Sequence, residues 1–248
     1  MKNLHYLLSA ILFSWLICYS ASAQNSLEGT VKNWSNGDGL ITFYDMLSGE
    51  KSQLGTINFQ GNILIPLDAD YINTVNLMAK KAEEKAPKGW EIQHNTVSST
   101  FSCIGEDKIT IDFGETLLAG LPELSLTDKD GQADFGILYA VSTPEIAQWL
   151  FSYGEDNVSK GYYLKWVFTE KPASINGICT NPTYTGNGEE MYDDILKMNL
   201  KLNQGWNIIK YDIVETFTSQ NGKVYPSKTE VTKLEKLPEN LLWQVIQD

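Results

Sequence analysis

Arginine is absent from this chain. All 19 basic residues are lysine, set against 31 acids, for a net charge of -12. Nucleic-acid binding needs a basic surface that neutralises phosphates, often with the bidentate guanidinium. The composition argues against that role, and it removes arginine clamps on phosphate or carboxylate substrates. We read the acidity as a solubility feature. Histidine is nearly as scarce: after residue 24 only His94 remains. Ser-His-Asp or Cys-His catalysis would have to use it, yet it stands in a polar connection that reads as an exposed loop. No Gly-x-Ser-x-Gly and no His-Glu-x-x-His occurs. A His-based zinc site would have at most His94, Cys103 and Cys179 plus acids. No metal and no cofactor is expected.

What is present first concerns location. Lys2 precedes a short apolar run from Leu7 to Cys18, too short for a membrane span. Ala21-Ser22-Ala23 then forms a small-residue cleavage pattern before Gln24. Residues 1–23 are expected to be a secretory signal peptide. Ile17 before Cys18 is too bulky for lipoprotein cleavage. The mature chain, with no second span, is expected to be exported: periplasmic, cell-surface or secreted. Two cysteines remain, Cys103 and Cys179. In an oxidising compartment they leave two outcomes open, a bridge or two separately buried thiols.

The folding signal has a period of two. Tyr162, Leu164, Trp166 and Phe168 share one face of an extended segment. Met198, Leu200 and Leu202 alternate with Lys197, Asn199 and Lys201. Trp206 to Phe217 is rich in Ile, Val, Tyr and Phe. Such alternation of β-branched and aromatic residues means strands. Ile109, Ile111 and Phe113 alternate too, as do Leu124 and Leu126. Asp128-Lys129-Asp130-Gly131 and Ser219-Gln220-Asn221-Gly222 predict hairpin turns. Residues 26–67 read as four short strands. The spacing of Ile72, Val75 and Ala79 predicts a short amphipathic helix within 68–86. Thr143-Pro144-Glu145 reads as the start of a second helix, ending at Phe151. The expected fold is all-β: an antiparallel β-sandwich over residues 101–248, with a smaller N-terminal β unit over 24–100 and a short helical connection.

Candidate sites are few. Trp34 and Trp90 sit among turn residues, where exposed rings would stack on a sugar or fit a protein partner. The bland alternative is that they cap the cores. Asp128, Asp130, Gln132 and Asp134 resemble half a calcium loop, but position six is Ala133 and position twelve Tyr139, so a hairpin turn explains them better. Glu189, Glu190, Asp193 and Asp194 read as a solvated acidic loop.

The start Leu27-Glu28-Gly29-Thr30-Val31-Lys32-Asn33-Trp34, the step Phe101-Ser102-Cys103-Ile104-Gly105, and the segments Ala173–Cys179 and Leu200–Asn207 carry a resemblance. Together they are similar to exported, largely uncharacterised proteins and lipoproteins of Bacteroidetes and Deinococcus-type bacteria. The sharpest element is Gly205-Trp206-Asn207. Gly205 can take a positive φ at the turn, Trp206 can plug the sandwich mouth, and Asn207 can bond the turn backbone. The resemblance implies an extracytoplasmic β-protein and no activity. The expected function is a non-catalytic, structural or assembly role at the cell envelope. The alternatives are a glycan-binding module using exposed Trp and Tyr, and a carboxylate-dependent hydrolase.

Overall fold

A computed structural model describes residues 26–45, 49–89 and 92–247. The expected signal peptide, Trp90 and the turn residues Leu47 and Ser48 lie outside them. The strands are β1 (Ser26–Thr30), β2 (Gly39–Asp45), β3 (Glu50–Ile57), β4 (Asn62–Pro66), β5 (Glu106–Asp112), β6 (Leu118–Gly120), β7 (Leu124–Asp128), β8 (Asp134–Val141), β9 (Gly161–Thr169), β10 (Ala173–Tyr184), β11 (Met191–Leu202), β12 (Gly205–Thr218), β13 (Val224–Leu234) and β14 (Leu242–Ile246). The helices are α1 (Tyr71–Lys85), α2 (Val97–Thr100) and α3 (Pro144–Phe151). The protein is all-β. One hydrogen-bonded path runs β1-β4-β3-β2-β7-β8-β9-β12-β13-β11-β10-β5, with β14 on β8 and β6 on β9.

The β9–β12 pair is the middle of the molecule, and both its faces are covered. Tyr162, Leu164, Trp166 and Ile208 join a core built with Leu27, Ile41, Ile57, Ile65, Leu126 and Trp243. On the opposite face Val167 and Ile209 join Ile175, Cys179, Met198, Leu200 and Val231. This explains why Trp166-Val167-Phe168 and Ile208-Ile209 are continuous apolar runs within otherwise alternating segments. Fully buried side chains such as Ile209 and Ile41 each contribute roughly 2 kcal/mol over leaving them in water. Gly29 lets the sheet close here, since a Cβ on it would stand 1.9 Å from the Trp243 indole nitrogen.

The division placed at residue 100 does not separate two bodies. Strand β2 pairs with β7 across it, and the first core mixes residues from both sides. Period-two patterning reports which face of a strand is buried, not which strand buries it. The pairings between strands are antiparallel except one: β13 runs parallel to β11 while closing a hairpin with β12. The turn Asn203-Gln204-Gly205 therefore joins two strands that have β13 between them, and passes from one layer to the other. Phe113 departs from the alternation. Strand β5 stops at Asp112. Phe113 has φ 57° and a 75 % exposed ring.

Cys103 and Cys179 form a disulfide with Cα atoms 5.7 Å apart. It ties the chain entering the edge strand β5 to β10, its only strand neighbour among the described residues. Closing a loop with a sequence separation of 76 restricts the unfolded chain by about 4 kcal/mol in the chain-entropy model.

Candidate functional site

A fork in the sheet makes an opening between β8 and β9. One edge of β8 pairs with β7 over residues 134–138, and then meets β9 only at Val141, opposite Tyr163. Further along β9, residues 167–169 pair with β6. Ser142 N donates to Tyr162 O at 2.8 Å, and Leu121 N donates to Trp166 O at 2.8 Å. Between the Val141–Tyr163 bridge and β6 no strand among the described residues pairs with β9 on this edge. The crossing segment Leu121-Pro122-Glu123 cannot fill the gap as a strand, because Pro122 has no N–H to donate. The groove left between β8 and β9 has a volume of about 760 Å³.

Its walls are aromatic. Tyr163 and Tyr211 are cross-strand partners, stacked with centroids 4.9 Å apart and planes 2° from parallel. Trp149, from α3, leans on Tyr163 at 6.3 Å. Tyr139 comes from β8, and Tyr153, 86 % exposed, from the turn after α3. At the floor the buried Trp166 and Trp243 stack at 5.7 Å. Lys165 extends beside the tyrosine pair, its Nζ 5.8 Å from the Tyr163 centroid and 5.7 Å from that of Tyr211. It is the one basic residue lining the groove, and Glu123 is the one acid, among the described residues.

Burial dominates the electrostatics. It pushes the Tyr211 phenol up to about 12. Burial first, then Tyr211 and Asp194, raises the Tyr163 phenol further. Tyr139 is raised by burial, then by Glu123 and Tyr153. All three phenols are therefore neutral at pH 7 and can both donate and accept. Burial also holds the Lys165 ammonium below its ordinary value. Among the described residues, the Tyr139, Tyr163 and Tyr211 hydroxyls make no hydrogen bond within the protein, and Lys165 has no carboxylate partner. Trp166 Nε1 is buried without an acceptor. The phenol hydroxyls and the Lys165 ammonium stay accessible to water in the groove, where a ligand can reach them.

The residues singled out from the sequence lie elsewhere. Trp34 is half-buried against the first core, edge-on to Phe135 at 5.7 Å, with its Nε1 donating to Gly37 O at 2.6 Å. It packs against the core and is not among the residues that line the groove. Cys103 and Cys179 are the bridge. His94 is exposed and lines a second cavity of about 430 Å³ beneath α1. Asp128 Oδ1 accepts from Gln132 N at 2.7 Å within its hairpin turn. Glu190 accepts from Thr185 Oγ1 at 3.1 Å and from Gln220 N at 3.0 Å, which ties two turns together. No group of three His, Cys, Asp or Glu side chains converges among the described residues, and no helix there is long and apolar enough to cross a membrane. Sequence reasoning missed Tyr139, Trp149, Tyr163, Lys165 and Tyr211. One signal was available: Lys165 is the only charge in the strand Gly161–Thr169.

No family model matches the chain, and no curated protein and no solved structure is similar to it. What the groove can do follows from its chemistry alone. Flat rings with free hydroxyls at their rims suit a ligand with apolar faces and polar edges.

Proposed function

We propose that this is an exported, non-catalytic protein that binds a saccharide in the groove between β8 and β9. The observation that carries the reading is the set of half-buried tyrosine rings whose hydroxyls have no partner in the protein. A pyranose ring has an apolar C–H face and a girdle of hydroxyls. Tyr153, 86 % exposed, offers an apolar ring face at the groove, and the neutral phenols of Tyr163 and Tyr211, whose rings stack on each other, exchange hydrogen bonds with the girdle. This reading prefers the glycan-binding alternative to a purely structural role, with the binding rings on β8, β9, α3 and β12 rather than at Trp34.

Three features support the absence of catalysis and the location. Glycoside hydrolysis ordinarily uses a pair of carboxyl groups flanking the bond, and Glu123 is the single acid lining the groove among the described residues. The cleavage pattern ahead of Gln24 and the Cys103–Cys179 bridge both suit an oxidising compartment outside the cytoplasm.

The test is a titration of tryptophan fluorescence with a panel of neutral and acidic oligosaccharides, since Trp149 and Trp166 border the groove. At least one should give a saturating shift in the native protein, and Tyr163→Ala should weaken it by roughly tenfold or more, as loss of an aromatic anchor does. A folded protein that gives no shift with any member of the panel would overturn the reading.

A further inference from the structure

Lys165 and Lys210 make an instructive pair. They lie on neighbouring strands, one rung apart in register: Lys165 faces Ile209, and Lys210 faces Leu164. Both ammonium groups lie near tyrosine rings, Lys210 at 5.5 Å from Tyr162 and Lys165 at 5.7 Å from Tyr211. Lys210 is also neutralised by Asp212 Oδ2 at 2.7 Å. Lys165, on the groove side, is not. Glu123 at the rim and Asp194 beyond Tyr163 are the acids that bear on the groove's phenols, and neither forms an ion pair with Lys165. Lys165 is exposed on the groove side, its ammonium lies beside two rings and no acid among the described residues is paired with it, so it is open to an external anion.

We propose that the groove prefers an acidic saccharide, and that Lys165 receives the carboxylate of a uronate unit. The proposal rests on the saccharide reading above. The Tyr163 and Tyr211 phenols bond the sugar's hydroxyls while the Lys165 ammonium, beside the same tyrosine pair, meets the carboxylate on the ring's exocyclic carbon. A charged hydrogen bond in a partly desolvated groove is stronger than a neutral one. A single ammonium is a compact point charge without the two-pronged fork of arginine, which suits one carboxylate per site. Glu123, which also lines the groove, disfavours a carboxylate beside it, so the ligand is oriented with its charge toward Lys165.

The experiment uses the full mature chain and pairs of oligouronates with their methyl esters, the rings being identical and only the charge removed. Oligomers of galacturonate, mannuronate and glucuronate are each titrated by calorimetry. The acid form should bind roughly tenfold or more tighter than its ester. Lys165→Met should erase that difference, with Lys165→Gln as a second variant in case the apolar replacement disturbs the fold. Lys210→Met, away from the groove, should leave the difference intact. Equal binding of acid and ester, or a preference that survives both Lys165 variants, overturns this inference and leaves saccharide binding standing. Binding of neither form, together with no response to neutral oligosaccharides, overturns both.

Discussion

Near Gly205 the β9–β12 ladder closes on itself, whereas further along, at Tyr163 and Tyr211, it opens into the groove. At the closed end Asn207 is buried, and its side chain is fully used. Oδ1 accepts from Asn203 N at 2.8 Å, and Nδ2 donates to Asn203 O at 2.8 Å and Gly205 O at 2.9 Å. Thr169 Oγ1 donates to Asn203 O at 2.6 Å. Trp206 Nε1 donates to Asp68 O at 2.8 Å, and its ring packs on Tyr71 at 4.6 Å and on Phe168 at 5.6 Å. At the open end the phenols and the ammonium have no such partners. The same two strands thus hold one polar cluster that specifies the fold and one that costs the fold little to keep free. Unpaired groups are tolerated where they face a groove, and they are what a ligand can use.

The largest effect should come from the closed end. Asn207→Ala removes the partner of the Asn203 N–H and of the Gly205 C=O and leaves the Asn203 C=O with Thr169 Oγ1. The expected loss is about 3 kcal/mol, from the three hydrogen bonds of a buried amide. A lower urea midpoint with an unchanged slope would register it. A loss below about 1 kcal/mol would break the contrast, because the cluster would then be dispensable.

Trp206→Phe should cost less, about 1–2 kcal/mol, since the ring's packing is partly kept while the hydrogen bond to Asp68 O is lost. Tyr71 stacks on that ring from the first turn of α1 and donates its hydroxyl to Gly120 O at 3.1 Å. Loosening of α1 is therefore the specific signature, and faster amide hydrogen exchange over residues 71–85 than in β12 would show it.

The closed end was legible in the sequence and the open end was not, for a physical reason. A turn is a local event. Gly205 has φ 90°, as a turn entering a strand requires, and Asn207 bonds back to Asn203 and Gly205 within the same turn. The alternation on β9, the β12–β13 hairpin and the helix at 71–85 are local in the same sense, and the structure has them. The groove depends on β7 and β9 parting along one edge of β8, between segments far apart in sequence, and nothing periodic announces that. Trp34 misled for a related reason. Its neighbours are turn residues, yet Phe135, a hundred positions away, supplies the surface it packs on. The helix at 97–100 had a readable start, with Thr96 and Ser99 capping each other at 2.8 and 3.1 Å. Serine in place of the usual Glu or Gln hid the signature.

The smallest effect at neutral pH, and the sharpest contrast with Asn207, is expected for Tyr211→Phe. The hydroxyl it removes bonds to nothing in the protein, so stability at pH 7 should stay within about 0.5 kcal/mol of the native chain, as for a substitution that breaks no partner. At alkaline pH the variant should gain. Burial holds the native Tyr211 phenol near 12, while in the unfolded chain a phenol ionises near pH 10. Between those values the unfolded chain has released the proton and the folded one has not. Stability therefore falls as pH rises through that window. Phenylalanine has no proton to release and escapes this part of the fall. Urea midpoints at pH 7 and pH 11 should therefore coincide and then separate, with the variant the more stable at pH 11. A variant already destabilised by more than about 1 kcal/mol at pH 7 would mean that the hydroxyl is bound within the fold after all, and that the open end of the ladder is as closed as the other.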